Sequence, residues 1–270
     1  MKQPKRILAL LGAVLLAGMY VCTLVFALMK SELAQTLFRA SLGCTILVPV
    51  LLYAFLLAAR MLRPAKSPLV DNVIFDLGNV LIDFGWEELA RKNGMTDADI
   101  GVMKEKVVGS SYWEEFDYSR IPYEEAAERF CAELPELADR LRPTLMHLED
   151  CFSVYSYAES WIAGLRRKGY GVYFLSNWSE TIEKRLEENG TMAFLKAMDG
   201  GLWSWEIRDI KPHPAVYRAF LARYGLDPER CVFLDDSEKN VEGARNCGIR
   251  AIRFQNYDDA REKLAGLGVK

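Results

Sequence analysis

Residues 72–84, NVIFDLGNVLIDF, constrain this chain more than any other stretch. Val73, Ile74 and Phe75 form a β-branched and aromatic run suited to a short strand buried on both faces. The run ends on Asp76 and is followed by Gly78 and Asn79, residues that turn a chain. Open α/β sheets place their ligands outside the carboxyl ends of their strands, so Asp76 stands where chemistry is expected. The competing reading is an aspartate that terminates the strand and caps a turn.

Three later segments bear on that choice. Ser176 and Asn177 close an apolar strand over 172–175; Lys211 precedes Pro212 in a loop; Asp235 and Asp236 follow an apolar strand over 232–234. In a parallel sheet such strand exits share one edge, so residues distant in sequence converge. Adjacent carboxylates repel, and a pair at the end of an apolar strand implies a nearby cation. Each residue also has a plainer role. Ser176 and Asn177 would serve as a helix amino-cap, and a loop lysine is by default a solvated charge.

In order and spacing, these segments resemble the four motifs of the haloacid dehalogenase (HAD) superfamily, most of whose members are Mg-dependent phosphatases. FDLGNV is similar to its small-cap sugar-phosphate phosphatases of the glucose-1-phosphate phosphatase type, and the resemblance runs from about residue 73 to the C-terminus. It implies that Asp76 takes the phosphoryl group as an aspartyl-phosphate, splitting one hard step into two easier ones. By the same resemblance Ser176, Asn177 and Lys211 bind and polarise the phosphoryl group. Mg2+, which prefers oxygen donors, would be held by Asp76, the backbone carbonyl of Gly78, Asp236 directly and Asp235 second.

Gly78 departs from the pattern. The superfamily's general acid lies two residues after the nucleophile, and glycine has no proton to give. Such an acid contributes a factor of ~10² to 10⁴ of a far larger acceleration, so its loss does not remove the phosphatase reading. Asp83 and His213 are the candidate substitutes. Without one, rate depends on the stability of the departing oxygen, which favours hexose 1-phosphates and aryl or acyl phosphates.

Around these motifs the pattern is regular. Helical segments alternate with short strands from 159 to the C-terminus, which predicts a doubly wound, Rossmann-like parallel sheet. Residues 86–157 read as helical with no convincing strand, too long for a plain crossover, and so as an inserted helical cap. Asn93-Gly94 is a helix-end signal and Thr96 a helix start. The cap should set specificity; Trp113, in Tyr112-Trp113-Glu114-Glu115-Phe116, is the expected substrate contact, with a cap-core tryptophan as the plain alternative.

The N-terminal region differs in composition. Residues 7–29 and 40–59 are runs of 23 and 20 residues without a charge. At about 1.5 Å rise per residue, each is long enough for a hydrocarbon core of roughly 30 Å. The expected layout is a membrane hairpin over 1–63, a linker over 64–71, and the hydrolase domain over 72–270. Lys2, Lys5 and Arg6 before the first run, and Arg60, Arg63 and Lys66 after the second, place both termini and the catalytic domain in the cytoplasm at the inner membrane. Residues 1–66 carry eight Lys/Arg against one Glu, leaving the rest at −10 in a chain of −3. That balance gives no nucleic-acid footprint. The expected partners are a small phosphorylated metabolite and, through the hairpin, the lipid bilayer. Six cysteines without paired spacing fit a reduced compartment.

The expected function is therefore a membrane-tethered, Mg-dependent phosphatase acting on a small phosphomonoester such as a sugar phosphate. Two alternatives stand beside it. One is a C–halogen hydrolase of the same superfamily, whose members also lack the second aspartate but use no metal. The other is a non-catalytic protein held at the membrane as a scaffold.

Overall fold

The strand expected at the centre of the domain is there, as β1 (Asn72–Phe75), in a computed structural model that describes residues 18, 20–21, 23–29, 31–61 and 70–270. The chain divides into two units, Met1–Ser67 and Pro68–Lys270. In the second unit β4 (Gly171–Ser176), β5 (Gly200–Trp203), β6 (Cys231–Asp235) and β7 (Arg250–Arg253) join β1 in the order β5-β4-β1-β6-β7. Every pairing is parallel, and Phe75 lies level with Phe174 on one side and Leu234 on the other. This is the doubly wound α/β core predicted from the sequence.

Period-two alternation gives the sheet two apolar faces. Val73, Phe75, Val172, Phe174, Val232 and Leu234 point to one face, where Trp161, Ile162 and Leu165 of helix Ala158–Arg167 cover them. Ile74, Leu175 and Phe233 point to the other, against Val216, Tyr217 and Phe220 of helix Pro214–Tyr224. Helix boundaries follow local chemistry. Gly94 takes φ +85 just past helix Trp86–Lys92, a conformation that costs glycine least. Thr96 opens helix Asp97–Met103 with a capping box: its hydroxyl accepts from Asp99 N–H while the Asp99 carboxylate accepts from Thr96 N–H.

The cap consists of helices Trp86–Lys92, Asp97–Met103, Glu114–Tyr118, Tyr123–Glu133 and Ala138–Met146. It is entered and left through an antiparallel ribbon of β2 (Ile82–Phe84) and β3 (Phe152–Val154), with Asp83 opposite Ser153. The reading of 86–157 as free of strands is thus corrected at β3. Three residues are too few for a period to register, and their partner lies about 70 residues earlier in the chain.

The membrane hairpin is also corrected. Among the described residues, no helix is long and apolar enough to cross a membrane. The second run lies within helix Glu32–Met61, which begins with Glu32, carries Arg39, and includes Ser41, Thr45 and Pro49. There the Ser41 hydroxyl donates to Thr23 Oγ1 at 3.0 Å and the Thr45 hydroxyl to the Ser41 carbonyl at 2.7 Å. Lack of charge is a weaker condition than a continuous apolar helix. Most of the first run falls outside the described residues. The absence of such a helix among the described residues contradicts the two expected spans and, with them, the tether, the bilayer as partner and the inner-membrane placement facing the cytoplasm.

Phe75 is fully buried and meets Trp161 edge-on at 4.8 Å between ring centroids. Phe75→Ala should cost about 3–5 kcal/mol, because the rigid sheet cannot collapse into the space. Urea unfolding of the full chain checks this as a lowered midpoint, and an unchanged midpoint would contradict this account of the core.

Candidate active site

Three neighbouring strands, β4, β1 and β6, bring their carboxyl ends to one edge. Ser176 ends β4, Asp235 ends β6, and Asp76 follows β1, whose ladder it extends by donating its N–H to the Leu234 carbonyl at 2.8 Å. Lys211 enters from the loop before helix Pro214–Tyr224. The Lys211 ammonium lies 2.9 Å from Asp76 Oδ1 and 2.7 Å from Asp235 Oδ2, and only 1% of its side chain is exposed. The sheet thus gathers four sequence segments around one buried cation.

The carboxylates differ in what surrounds them. Asp76 Oδ1 also accepts from Ser176 Oγ at 2.6 Å and from Leu77 N–H at 2.7 Å. Asp235 is fully buried, and besides Lys211 its oxygens accept from Ser237 N–H and the Asn240 amide. Asp236 is half-buried and takes one amide hydrogen bond, from Asn79 at 3.1 Å. Asn79 itself sits at φ +56, in the turn after Gly78.

Burial, reinforced by Asp235 and Asp236 and opposed by Lys211 and Ser176, pushes the Asp76 carboxyl up to about 7. Burial and Asp235 likewise raise Asp236, against the Asn79 hydrogen bond and Lys211. For Lys211, burial favours the neutral amine, yet Asp235 and Asp76 outweigh it and hold the ammonium above its usual range. One lysine therefore faces more negative charge than it can balance.

Asp76, Asp235 and Asp236 offer carboxylate oxygens within 4.8 Å of one another, a spacing that can hold a metal ion. The donor set is all oxygen, which fits the expected Mg2+ and would compensate the carboxylates that Lys211 leaves unbalanced. The backbone at Gly78 lies in the same turn, bridged to Ile82.

Asn177, expected at the phosphate, has its side-chain amide on the Lys211 backbone, accepting from Lys211 N–H at 2.8 Å and donating to its carbonyl at 3.0 Å. Trp113, the expected cap contact, lines a cavity of about 180 Å³ together with Gly78, Phe84, Phe152, Asn177 and Trp178. It also packs within the cap, 5.1 Å from Phe116 between ring centroids, and so stands both at the cavity wall and in the cap core. Two residues stand here as well: Asn79, expected only as a turn former, and Asp117, for which the sequence suggests no role. Asp117 lies in the acidic run 114–117, where nothing local separates it from solvated neighbours. Its flanking residues Phe116 and Tyr118, both buried, are the one signal that could have drawn attention to it.

Residues 70–248 match the family model described as haloacid dehalogenase-like hydrolase. Flavin mononucleotide hydrolase 1 of Arabidopsis thaliana is 25% identical over 217 residues, covering 77% of this chain and 80% of that protein. D-Ribitol-5-phosphate phosphatase of Bacteroides thetaiotaomicron is 23% identical over 210 residues, covering 73% and 97%. A HAD family enzyme of Bacteroides thetaiotaomicron, solved in complex with magnesium and inorganic phosphate, superposes with a TM-score of 0.55 at 21% identity, covering 71% of this chain and 98% of that one. At that identity the structural likeness speaks for the fold.

Removing the buried cation should expose the imbalance. Lys211→Met in EDTA should lose about 3–5 kcal/mol of stability, since two buried carboxylates lose their common partner. Added Mg2+ should recover part of the loss. Urea midpoints with and without Mg2+ measure both effects, and an unchanged midpoint in EDTA would mean that Lys211 does not balance this pair.

Proposed function

Because the chain belongs to the haloacid dehalogenase-like hydrolases, we propose that it is a Mg2+-dependent phosphatase of a small phosphomonoester, working through an aspartyl-phosphate on Asp76. The observation that carries this reading is the convergence of Asp76, Asp235 and Asp236 within 4.8 Å around the end of β1, with Lys211 against two of them. A phosphoryl group brings negative charge to its transition state, and catalysis consists largely of positioning and neutralising it. A buried ammonium beside a carboxylate nucleophile does both.

Asp76 attacks phosphorus in line with the departing oxygen. Ser176, whose hydroxyl donates to Asp76 in this structure, turns that proton to a non-bridging phosphoryl oxygen. Lys211 opposes the effect of burial on Asp76 and so favours its ionised form, and it draws on the same phosphoryl group. Asn177 holds the Lys211 backbone in place, and so supports phosphate binding through Lys211 rather than by its own amide. Asp76, Asp236, Asp235 and the Gly78 carbonyl would hold Mg2+, with Asp236 the more available of the carboxylate pair. When bound, Mg2+ neutralises phosphate charge and lowers the proton affinity of Asp76.

The cavity wall, with Phe84, Trp113, Phe152 and Trp178, favours a leaving group with apolar or ring surface. The named relatives support this class of chemistry: one is a flavin mononucleotide hydrolase and one a sugar-alcohol phosphatase. The C–halogen alternative has no use for three crowded carboxylates. A scaffold would have no reason to keep an ionic cluster of this kind in its interior, which is costly to bury.

Phosphate release from 4-nitrophenyl phosphate by the full chain should require Mg2+ and stop in EDTA. Asp76→Asn should abolish turnover while the circular dichroism spectrum stays unchanged, because the amide keeps the shape and loses the nucleophile. Asp236→Ala should raise the Mg2+ concentration for half-maximal rate roughly tenfold or more. Turnover by Asp76→Asn near the wild-type rate would place the nucleophile elsewhere.

A further inference from the structure

Gly78 leaves no proton donor two residues after the nucleophile, and the two substitutes expected from the sequence are turned to other partners. Asp83 accepts from the Tyr155 hydroxyl at 3.0 Å. His213 Nδ1 lies 2.6 Å from Asp209 Oδ1, with its side chain 55% exposed. Neither is among the residues lining the cavity over Gly78. A side chain at 78 would start towards Trp178, whose ring Cζ3 lies 3.8 Å from an ideal Cβ. The same wall contains Asp117, the one carboxylate among the lining residues.

Asp117 is held there by the core. The fully buried Ser204 donates its hydroxyl proton to the Asp117 carbonyl at 2.7 Å and accepts from Trp178 N–H at 2.9 Å. Arg208 donates to the Tyr118 carbonyl at 3.3 Å, and the Ser119 hydroxyl accepts from Glu180 N–H at 3.0 Å. The cap backbone is thus tied to the two core loops that follow β4 and β5. Among the described residues, by contrast, nothing donates to the Asp117 carboxylate. A half-buried carboxylate with its backbone fixed and its oxygens unpartnered is built for something that enters the cavity.

We propose that Asp117 is the general acid and base of this site, supplied by the cap in place of the side chain missing at position 78. This rests on the phosphatase reading above. In the first step Asp76 forms a bond to phosphorus and the bond from phosphorus to the leaving oxygen breaks. The Asp117 carboxyl gives its proton to that oxygen, releasing a neutral alcohol. In the second step water attacks the aspartyl-phosphate, Asp117 takes one proton of that water, and the bond between phosphorus and Asp76 breaks. Inorganic phosphate leaves, with Asp117 again protonated. Burial, with Asp76 and Glu114 adding to it and Lys211 opposing it, raises the Asp117 carboxyl to about 7, so both forms are accessible near neutrality.

The test separates proton donation from structure by varying the leaving group. Benzyl phosphate departs as a poor alkoxide and 4-nitrophenyl phosphate as a stable phenolate, and both carry a ring. In single turnover with Mg2+, followed as release of the alcohol or phenol and so reporting the first step alone, Asp117→Asn should slow benzyl phosphate by a factor of ~10² to 10⁴ and 4-nitrophenyl phosphate by less than about threefold. Adding Gly78→Asp to Asp117→Asn should recover at least tenfold of the benzyl phosphate rate, since the restored carboxyl starts towards the same wall. Equal losses on both substrates, or none on benzyl phosphate, would overturn the assignment, and so would a double variant no faster than the single one. A misfolded variant loses both substrates together and is recognised by its circular dichroism; Asp117→Ser, with a smaller side chain and no acid, must then give the same split between substrates or the proposal fails. A wild-type chain inert towards 4-nitrophenyl phosphate with Mg2+ would overturn the phosphatase reading itself, and with it the role of Asp117.

Discussion

The ammonium of Lys211, 2.9 Å from Asp76 and 2.7 Å from Asp235, is the interaction on which the site depends. A lone buried carboxylate would take up a proton, and a lone buried lysine would lose one. Placed together, each favours the charged form of the other against burial, and further hydrogen bonds offset part of the lost hydration. The chain supplies these from several segments: Ser176 and Leu77 N–H to Asp76, and Ser237 N–H and Asn240 to Asp235. Asn177 fixes the Lys211 backbone from both sides. What remains uncompensated is mostly at Asp236, the carboxylate most open to a cation.

The sheet is what makes this arrangement possible. β1 is central, β4 and β6 flank it, and the parallel register brings three strand ends level. Phe75, Phe174 and Leu234 lie on one face of it, Ile74 and Phe233 on the other, so both faces resist displacement of the strands. The cap follows a different logic. Its helices pack largely through their own aromatic cluster, and its link to the core near the site runs through hydrogen bonds at Ser204, Arg208 and Ser119. An apolar wall facing an ionic floor fits a substrate with one charged end and one ring-like or apolar end.

The differences between expectation and structure share a cause. The β2–β3 ribbon escaped notice because three-residue strands have no readable period and their pairing spans the whole cap. The N-terminal runs are distinguished by what they lack, charge, whereas crossing a bilayer depends on sustained apolar length, which no helix among the described residues provides. The four segments that converge at the strand ends differ from these in one respect. Each pairs an apolar strand or a proline-bordered turn with a polar residue, a local pattern that survives without knowledge of neighbours.

The sequence by itself determined the alternation of strands and helices, the central place of 72–75, and the set of Asp76, Ser176, Lys211 and Asp235-Asp236. The alternation and the central strand follow from side-chain periodicity, turn residues and caps, which act within a few positions along the chain. The residue set rests on the resemblance of four segments, in order and spacing, to the HAD motifs. Tertiary structure alone decided that the Asn177 amide serves Lys211 rather than standing free, that Trp113 is both cavity wall and cap core, and that Asp117 faces the space over Gly78. An acidic residue in a charged helix reads as solvated until another part of the chain folds over it. Ser204, 87 residues further along, is what fixes the Asp117 backbone against the core. Contacts at that separation arise from packing and leave no periodic trace in the sequence.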